Sequence, residues 1–315
     1  MSSRTIAVAG ATGAQGGGLM RAILSDPEGG FRARGITRNP DSDRARALAA
    51  KGAEMVQADL DDLESLVRAF DGCHGAFCVT NYWEHMSPMK ELDQAENLAE
   101  AARRAGVSHV IWSTLEDTRR WVPLEDDRMP TLMDHYKVPH FDAKGEADRF
   151  FIARDLPVTF LVASYYWDNL IHFGAGPQRG EDGVLVFTLP MGEKAMPGIA
   201  AEDIGKSAYG IFKAGEDLIG ETVGIAGEHL TGAEMAAGIG RAVGEKVTHF
   251  SPSFDTYRSF GFPGADDLGN MFQFYHDFED DVRSVRSVKR TRKLNPELMD
   301  FDAWLDRYGA QIPVG

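Results

Sequence analysis

Through the first half of the chain, short apolar runs alternate with amphipathic stretches. The runs at residues 5–9, 31–37, 54–57, 75–79, 109–113 and 158–162 have strand length and carry Val, Ile and Phe. Between them, residues 17–25, 42–51, 63–70, 89–104 and 141–154 repeat apolar positions at helical spacing. Strand, helix, strand in this rhythm predicts right-handed crossovers and a parallel sheet covered on both faces. After Val162, Gly and Pro break the pattern. Strands are expected at 184–189, 222–226 and 246–250, and helices at 202–212, from an N-capping Thr231 to Val243, and at 265–278. The predicted fold class is α/β, a doubly wound parallel sheet of Rossmann type with a smaller C-terminal α+β lobe. Residues 1–162 would form the dinucleotide-binding part, extended by parts of 195–226 and 265–280. Residues 163–192, 227–262 and 281–315 would form the lobe, with the ligand cleft between the two.

The turn after the first strand sharpens this picture. Gly10, Gly13 and Gly16 are spaced as Gly-x-x-Gly-x-x-Gly between a strand and a helix. Such a turn lets backbone approach a pyrophosphate, which then lies at the positive end of the helix. Thr12 and Gln15 belong to the same turn. The second strand ends in Thr37-Arg38, where a site for the unphosphorylated cofactor would end in Asp or Glu. A guanidinium there can fork onto a 2′-phosphate, so NADP(H) is the expected cofactor. Asp59 and Leu60 follow the third strand and border the adenine, although Asp59 suits a helix cap equally well. Thr80 and Asn81 close the fourth strand, facing the cofactor or serving strand-end turn chemistry. Tyr82 and Trp83 cover the nicotinamide or fill a loop core. Tyr165 and Asn169 follow the sixth strand, where aromatics would wall a cleft for a flat ring or pack between lobes.

Composition narrows the partners. The chain has 315 residues, is 43% hydrophobic and carries 33 basic against 48 acidic residues, a net charge of −15. That balance disfavours a sequence-independent hold on nucleic acid. No apolar run has the length of a membrane span, and the N-terminus lacks a signal-peptide layout, so a cytoplasmic protein is expected. Cys73 and Cys78 read as reduced, buried thiols. The histidines lack metal-ligand spacing with Cys or carboxylates, and no metal is expected. The basic run Arg283, Arg286, Lys289, Arg290, Arg292 and Lys293 follows Asp277, Glu279, Asp280 and Asp281, which predicts a solvated, internally paired segment.

The glycine motif resembles that of the short-chain dehydrogenases/reductases. In that group a Ser or Thr after the fifth strand works with Tyr-x-x-x-Lys on the next helix. This chain has Ser113-Thr114 and then His140-Phe-Asp-Ala-Lys144. Lys144 stands where the ribose-holding lysine would be, and His140 stands in place of the tyrosine. The i to i+4 spacing keeps both on one helical face. His140 acts as an acid, lines the pocket or caps the helix, and nothing nearby in sequence is an evident relay.

Six further stretches resemble the NmrA-like family together: Gly10-Ala-Thr-Gly-Ala-Gln-Gly-Gly17, Thr37-Arg38, Val79-Thr-Asn-Tyr-Trp-Glu84, His140 to Glu146, Tyr165-Tyr-Trp-Asp-Asn169 and Gly261 to Phe272. Leu294-Asn-Pro and Asp302-Ala-Trp-Leu305 carry the likeness almost to the C-terminus. Within the family, the sequence is most similar to the HSCARG redox-sensor branch. The resemblance implies an atypical short-chain dehydrogenase fold, NADP(H) binding and a regulatory use with little turnover, through a protein partner, as a monomer or homodimer. Other members are reductases, so reduction of a small carbonyl, quinone or imine is the alternative, with His140 and Lys144 as its catalytic pair.

Overall fold

Thirteen strands are present among the described residues, 3–314, of a computed structural model. In chain order they are β1 (Arg4–Val8), β2 (Phe31–Thr37), β3 (Glu54–Gln57), β4 (Gly75–Cys78), β5 (His109–Thr114), β6 (Val158–Val162), β7 (Tyr165–Tyr166), β8 (Gln178–Arg179), β9 (Leu185–Thr188), β10 (Ala195–Ile199), β11 (Thr222–Gly224), β12 (Glu228–Thr231) and β13 (Val247–Phe250). Seven form one sheet in the order β11-β6-β5-β4-β1-β2-β3, and every pair in it is parallel. This is a doubly wound Rossmann sheet. The order reverses between β1 and β4, so the carboxyl ends of these two strands open the crevice where such sheets bind ligands.

Each face of the sheet has its own core. On one, Ile6, Val8, Phe77, Ile111 and Leu161 pack under the helices Ala14–Leu24 and Ala201–Ala214. These helices touch backbone to backbone: a Cβ on Gly205 would lie 2.0 Å from Leu19 N, so only glycine allows the approach. On the other face, Trp112, Leu66, Leu98 and Phe151 join the sheet to the helices Leu63–Phe70, Pro88–Ala105 and Pro139–Ile152.

A third core belongs to the C-terminal lobe, where β12-β10-β7 and β13-β9-β8 form two small sheets. Phe301 and Trp304 stack there with ring centroids 5.9 Å apart, and Trp167 packs tilted against Phe301 at 5.3 Å. Two segments part from the expected division. The helix Ala265–Asp277, expected to extend the sheet half, sends Met271, Phe272 and Phe274 into the lobe core instead. The helix Val288–Leu294, expected in the lobe, lies on the sheet half, where Gly210 closely approaches the Leu294 carbonyl. Its neighbour Arg286 is not solvated at all. It is fully buried, gives Nε to the Ala163 carbonyl at 2.9 Å, pairs with Glu116 and lies over the Tyr275 ring. The rest of the basic run is paired at Arg283 with Glu279 and at Arg290 with Glu221.

Candidate functional site

At the end of β1 the chain turns through Gly10, whose φ of +62° favours glycine. Gly13 N then donates to the Gly10 carbonyl at 2.8 Å. A Cβ on Gly16 would stand 2.4 Å from that same oxygen, so the helix Ala14–Leu24 starts this close to the strand only because Gly16 has none. The helix has no side-chain cap and no acidic residue in its first turn. Its leading N–H groups and positive dipole end therefore remain available to an anion. Gln15 donates Nε2 to the Tyr166 hydroxyl at 2.5 Å, while its Oε1 is buried without a partner. Thr12 is half-buried in the turn. Backbone donors, a glycine cradle and an orphaned amide oxygen together fit the diphosphate and ribose of a dinucleotide.

Arg38 lies just past β2 at the mouth of an open cleft of about 250 Å³ lined also by Gln57, Asp59, Ser65 and Arg68. Its guanidinium makes a two-pronged pair with Glu84, one prong being Nη2 to Oε2 at 3.2 Å. The cap of the helix Leu63–Phe70 is Asp62, not Asp59. Asp59 lines the cleft and accepts from Asp61 N at 3.0 Å, while Leu60 gives its carbonyl to Asn97.

Lys144 is enclosed on the helix Pro139–Ile152. Its Nζ reaches Thr80 Oγ1 at 2.7 Å, the Thr80 carbonyl at 3.3 Å and Glu91 Oε1 at 2.7 Å, which engages all three of its donors. Thr80 also bonds Glu91, so its polar atoms turn inward, and Asn81 is the exposed residue of the pair. Glu91 is fully buried. Burial opposes its charge, yet the Lys144 ammonium, His85 and the Thr80 hydroxyl together outweigh burial and hold the carboxyl at about 2. His85 Nδ1 accepts from Ser87 N, which puts the ring proton of the neutral form on Nε2, 3.5 Å from Glu91 Oε2. Sequence reasoning missed Glu91, although it shares one helical stripe with the buried Ala95, Leu98 and Ala102.

His140 has a carboxylate partner distant in sequence. Asp267, in the first turn of the helix Ala265–Asp277, accepts from His140 N at 3.2 Å and from Nδ1 at 2.6 Å. Because a carboxylate only accepts, Nδ1 carries the hydrogen, and Nε2 has no partner among the described residues. Both side chains are almost fully buried. This is the arrangement in which a carboxylate fixes the imidazole tautomer and stabilises the imidazolium. Thr114, by contrast, is directed elsewhere: its hydroxyl donates to Asp148 at 2.6 Å.

Aromatic rings close the site. Trp83 lies with its centroid 4.8 Å from the His140 ring and rests on Gly264, while Tyr82 is buried 5.9 Å from His140. Tyr82 thus fills the loop core, and Trp83 remains partly exposed. Tyr165 and Tyr257 flank Phe272 at 6.4 Å and 5.2 Å. Burial pushes the Tyr165 phenol up.

The sequence model of the NmrA-like family matches residues 2–305. The chain belongs to the NmrA-like family. An NmrA-like family domain-containing oxidoreductase, FrzB of Cladobotryum sp, is 29% identical over 294 residues, spanning 85% of this chain and 83% of its own. Among solved structures, NmrA, a negative transcriptional regulator in complex with NADP, superposes with a TM-score of 0.78 at 23% identity, covering 98% of this chain and 95% of that one. Citrobacter sp. triphenylmethane reductase complexed with NADP(H) superposes at 0.74 with 20% identity, covering 96% and 99%. These likenesses establish a shared fold. No helix among the described residues is long and apolar enough to cross a membrane.

Proposed function

We propose that the chain is an NADP(H)-dependent reductase of a planar, conjugated electrophile, with His140 supplying the proton and Asp267 orienting it. The observation that carries this reading is the His140–Asp267 pair at 2.6 Å. The regulatory reading rests on His140 standing in place of the tyrosine, and a carboxylate on its Nδ1 favours proton donation by this histidine instead. The relay comes from 127 residues further along the chain.

The bound, reduced nicotinamide supplies a hydride. The Gly10–Gly16 turn and the helix after it hold the diphosphate, Gln15 and Thr12 contact the sugar-phosphate, and Arg38 takes the 2′-phosphate. His140 gives the Nε2 proton to the atom that gains electron density, while Asp267 holds the ring through Nδ1. Lys144 stays fixed between Glu91 and Thr80 and presents its charge from one position, rather than swinging to meet a ribose. Trp83, Tyr165 and Tyr257 offer flat apolar faces, which suit a conjugated ring system and exclude water. The oxidoreductase name of FrzB supports redox chemistry for this chain as well.

The test is NADPH consumption by the purified chain against quinones, aldehydes, imines and triarylmethane cations. Turnover near ordinary enzyme rates, on the order of 1 per second or more, is expected with at least one class. No turnover with any of them, together with tight cofactor binding, would favour the second reading, an NADP(H)-responsive regulator with a protein partner. One observation favours that reading: a single helical turn, Tyr82–His85, touches both the Arg38 end and the His140 end of the site.

A further inference from the structure

We propose that Glu84 is a specificity-determining residue, which holds Arg38 in place of a 2′-phosphate and so sets the preference between phosphorylated and unphosphorylated dinucleotides. The proposal rests on the cofactor reading above. Arg38 meets Glu84 through both of its terminal nitrogens, in the forked geometry that it would use on a phosphate. Carboxylate and phosphate therefore compete for the same donors. Glu84 has no other side-chain partner among the described residues, and both side chains of the pair are exposed, Arg38 at 64% and Glu84 at 45%. An exposed pair of flexible side chains is weak and yields readily to a dianion with three acceptor oxygens.

The other carboxylates at this mouth are less available to Arg38. Asp61 is held by Lys90 at 2.9 Å and by Gln94 at 2.8 Å, and Asp59 accepts from backbone at 3.0 Å. Glu84 is thus the acid that a 2′-phosphate must displace, and, once displaced, it still repels the phosphate from nearby. A cofactor without that phosphate leaves the pair intact. Glu84 therefore taxes NADPH and not NADH, and it holds the chain's selectivity below what Arg38 alone would give.

Calorimetric titration with NADPH and NADH tests this on the full chain, using Glu84→Gln, Arg38→Ala and the double variant. Glu84→Gln should tighten NADPH about three- to tenfold and change NADH less than about twofold, with the gain shrinking as salt rises. In the Arg38→Ala background the same substitution should do nothing. The proposal is overturned if Glu84→Gln leaves NADPH unchanged, shifts both cofactors equally, or keeps its effect without Arg38. Wild-type chain that binds neither cofactor would overturn the cofactor reading itself, an outcome distinct from these.

Discussion

Replacing Asp267 by Asn tests the proposed chemistry where it is most exposed to failure. Asparagine keeps an oxygen for the His140 backbone N–H, which Asp267 now accepts at 3.2 Å, and loses the charge that faces Nδ1 at 2.6 Å. A charge-assisted hydrogen bond of this kind is worth about 1.5–3 kcal/mol. If that energy orients the ring in the transition state, each 1.36 kcal/mol is about tenfold in rate, so kcat should fall by about 10- to 150-fold. His140→Ala should cost at least as much, up to the roughly 100- to 10,000-fold of a general acid, and the double variant should cost little beyond His140→Ala alone. The assay follows nicotinamide absorbance at saturating NADPH, with cofactor affinity measured in parallel, because neither residue touches the glycine turn or Arg38. Rates within twofold of wild type for a folded Asp267→Asn chain would refute the relay. Equal losses in rate and in cofactor affinity would show that Asp267 holds the helix junction together and nothing more.

Two other substitutions probe ionisable groups whose surroundings the fold controls. Burial pushes the Asp148 carboxyl up to about 7 against an ordinary 3.8, so between these values the folded chain holds a proton that the unfolded chain has released. Stability should fall as pH rises through that window and level off above it. Asp148→Asn keeps an acceptor for Trp112 and Thr114 and should flatten the slope in urea melts between about pH 4 and pH 8; an unchanged slope would refute the assignment. Arg286→Met leaves the Glu116 carboxylate buried without its cation and should cost about 3–5 kcal/mol, much of it recovered by adding Glu116→Leu; a cost under about 1 kcal/mol would mean that water already reaches the pair.

The sheet was legible because its strands are local patterns. Phe31–Thr37, Glu54–Gln57 and Val158–Val162 fall where the apolar runs predict, and the helix Leu63–Phe70 does as well. The strands that escaped are short or carry breakers: Tyr165–Tyr166 has two residues, and Ala195–Ile199 contains Pro197 and Gly198, which read as a turn. Tertiary pairing across the lobe makes them strands, and no window of sequence contains that pairing. The same limit explains Arg286. Its run of cations looks solvated in sequence, and only the fold brings Glu116 and the Ala163 carbonyl around it.

The site divides along one line. Sequence spacing located its cationic or protonatable groups, Arg38, Lys144 and His140, because each stands at a fixed offset from a motif. It did not locate the carboxylates that hold them. Glu84, Glu91 and Asp267 come from other elements, Glu84 at a separation of 46 residues and Asp267 at 127. In a chain of net charge −15 such partners are plentiful, and Arg38, Lys144 and His140 are each already held by a carboxylate before any ligand arrives. Anion binding here is therefore an exchange of carboxylate for phosphate at Arg38, where the pair is exposed, and not at Lys144, where Glu91 is sealed in. That difference in burial assigns the roles: the exposed pair opens to ligand and sets selectivity, whereas the buried pairs stay closed and hold the geometry on which the proton transfer depends.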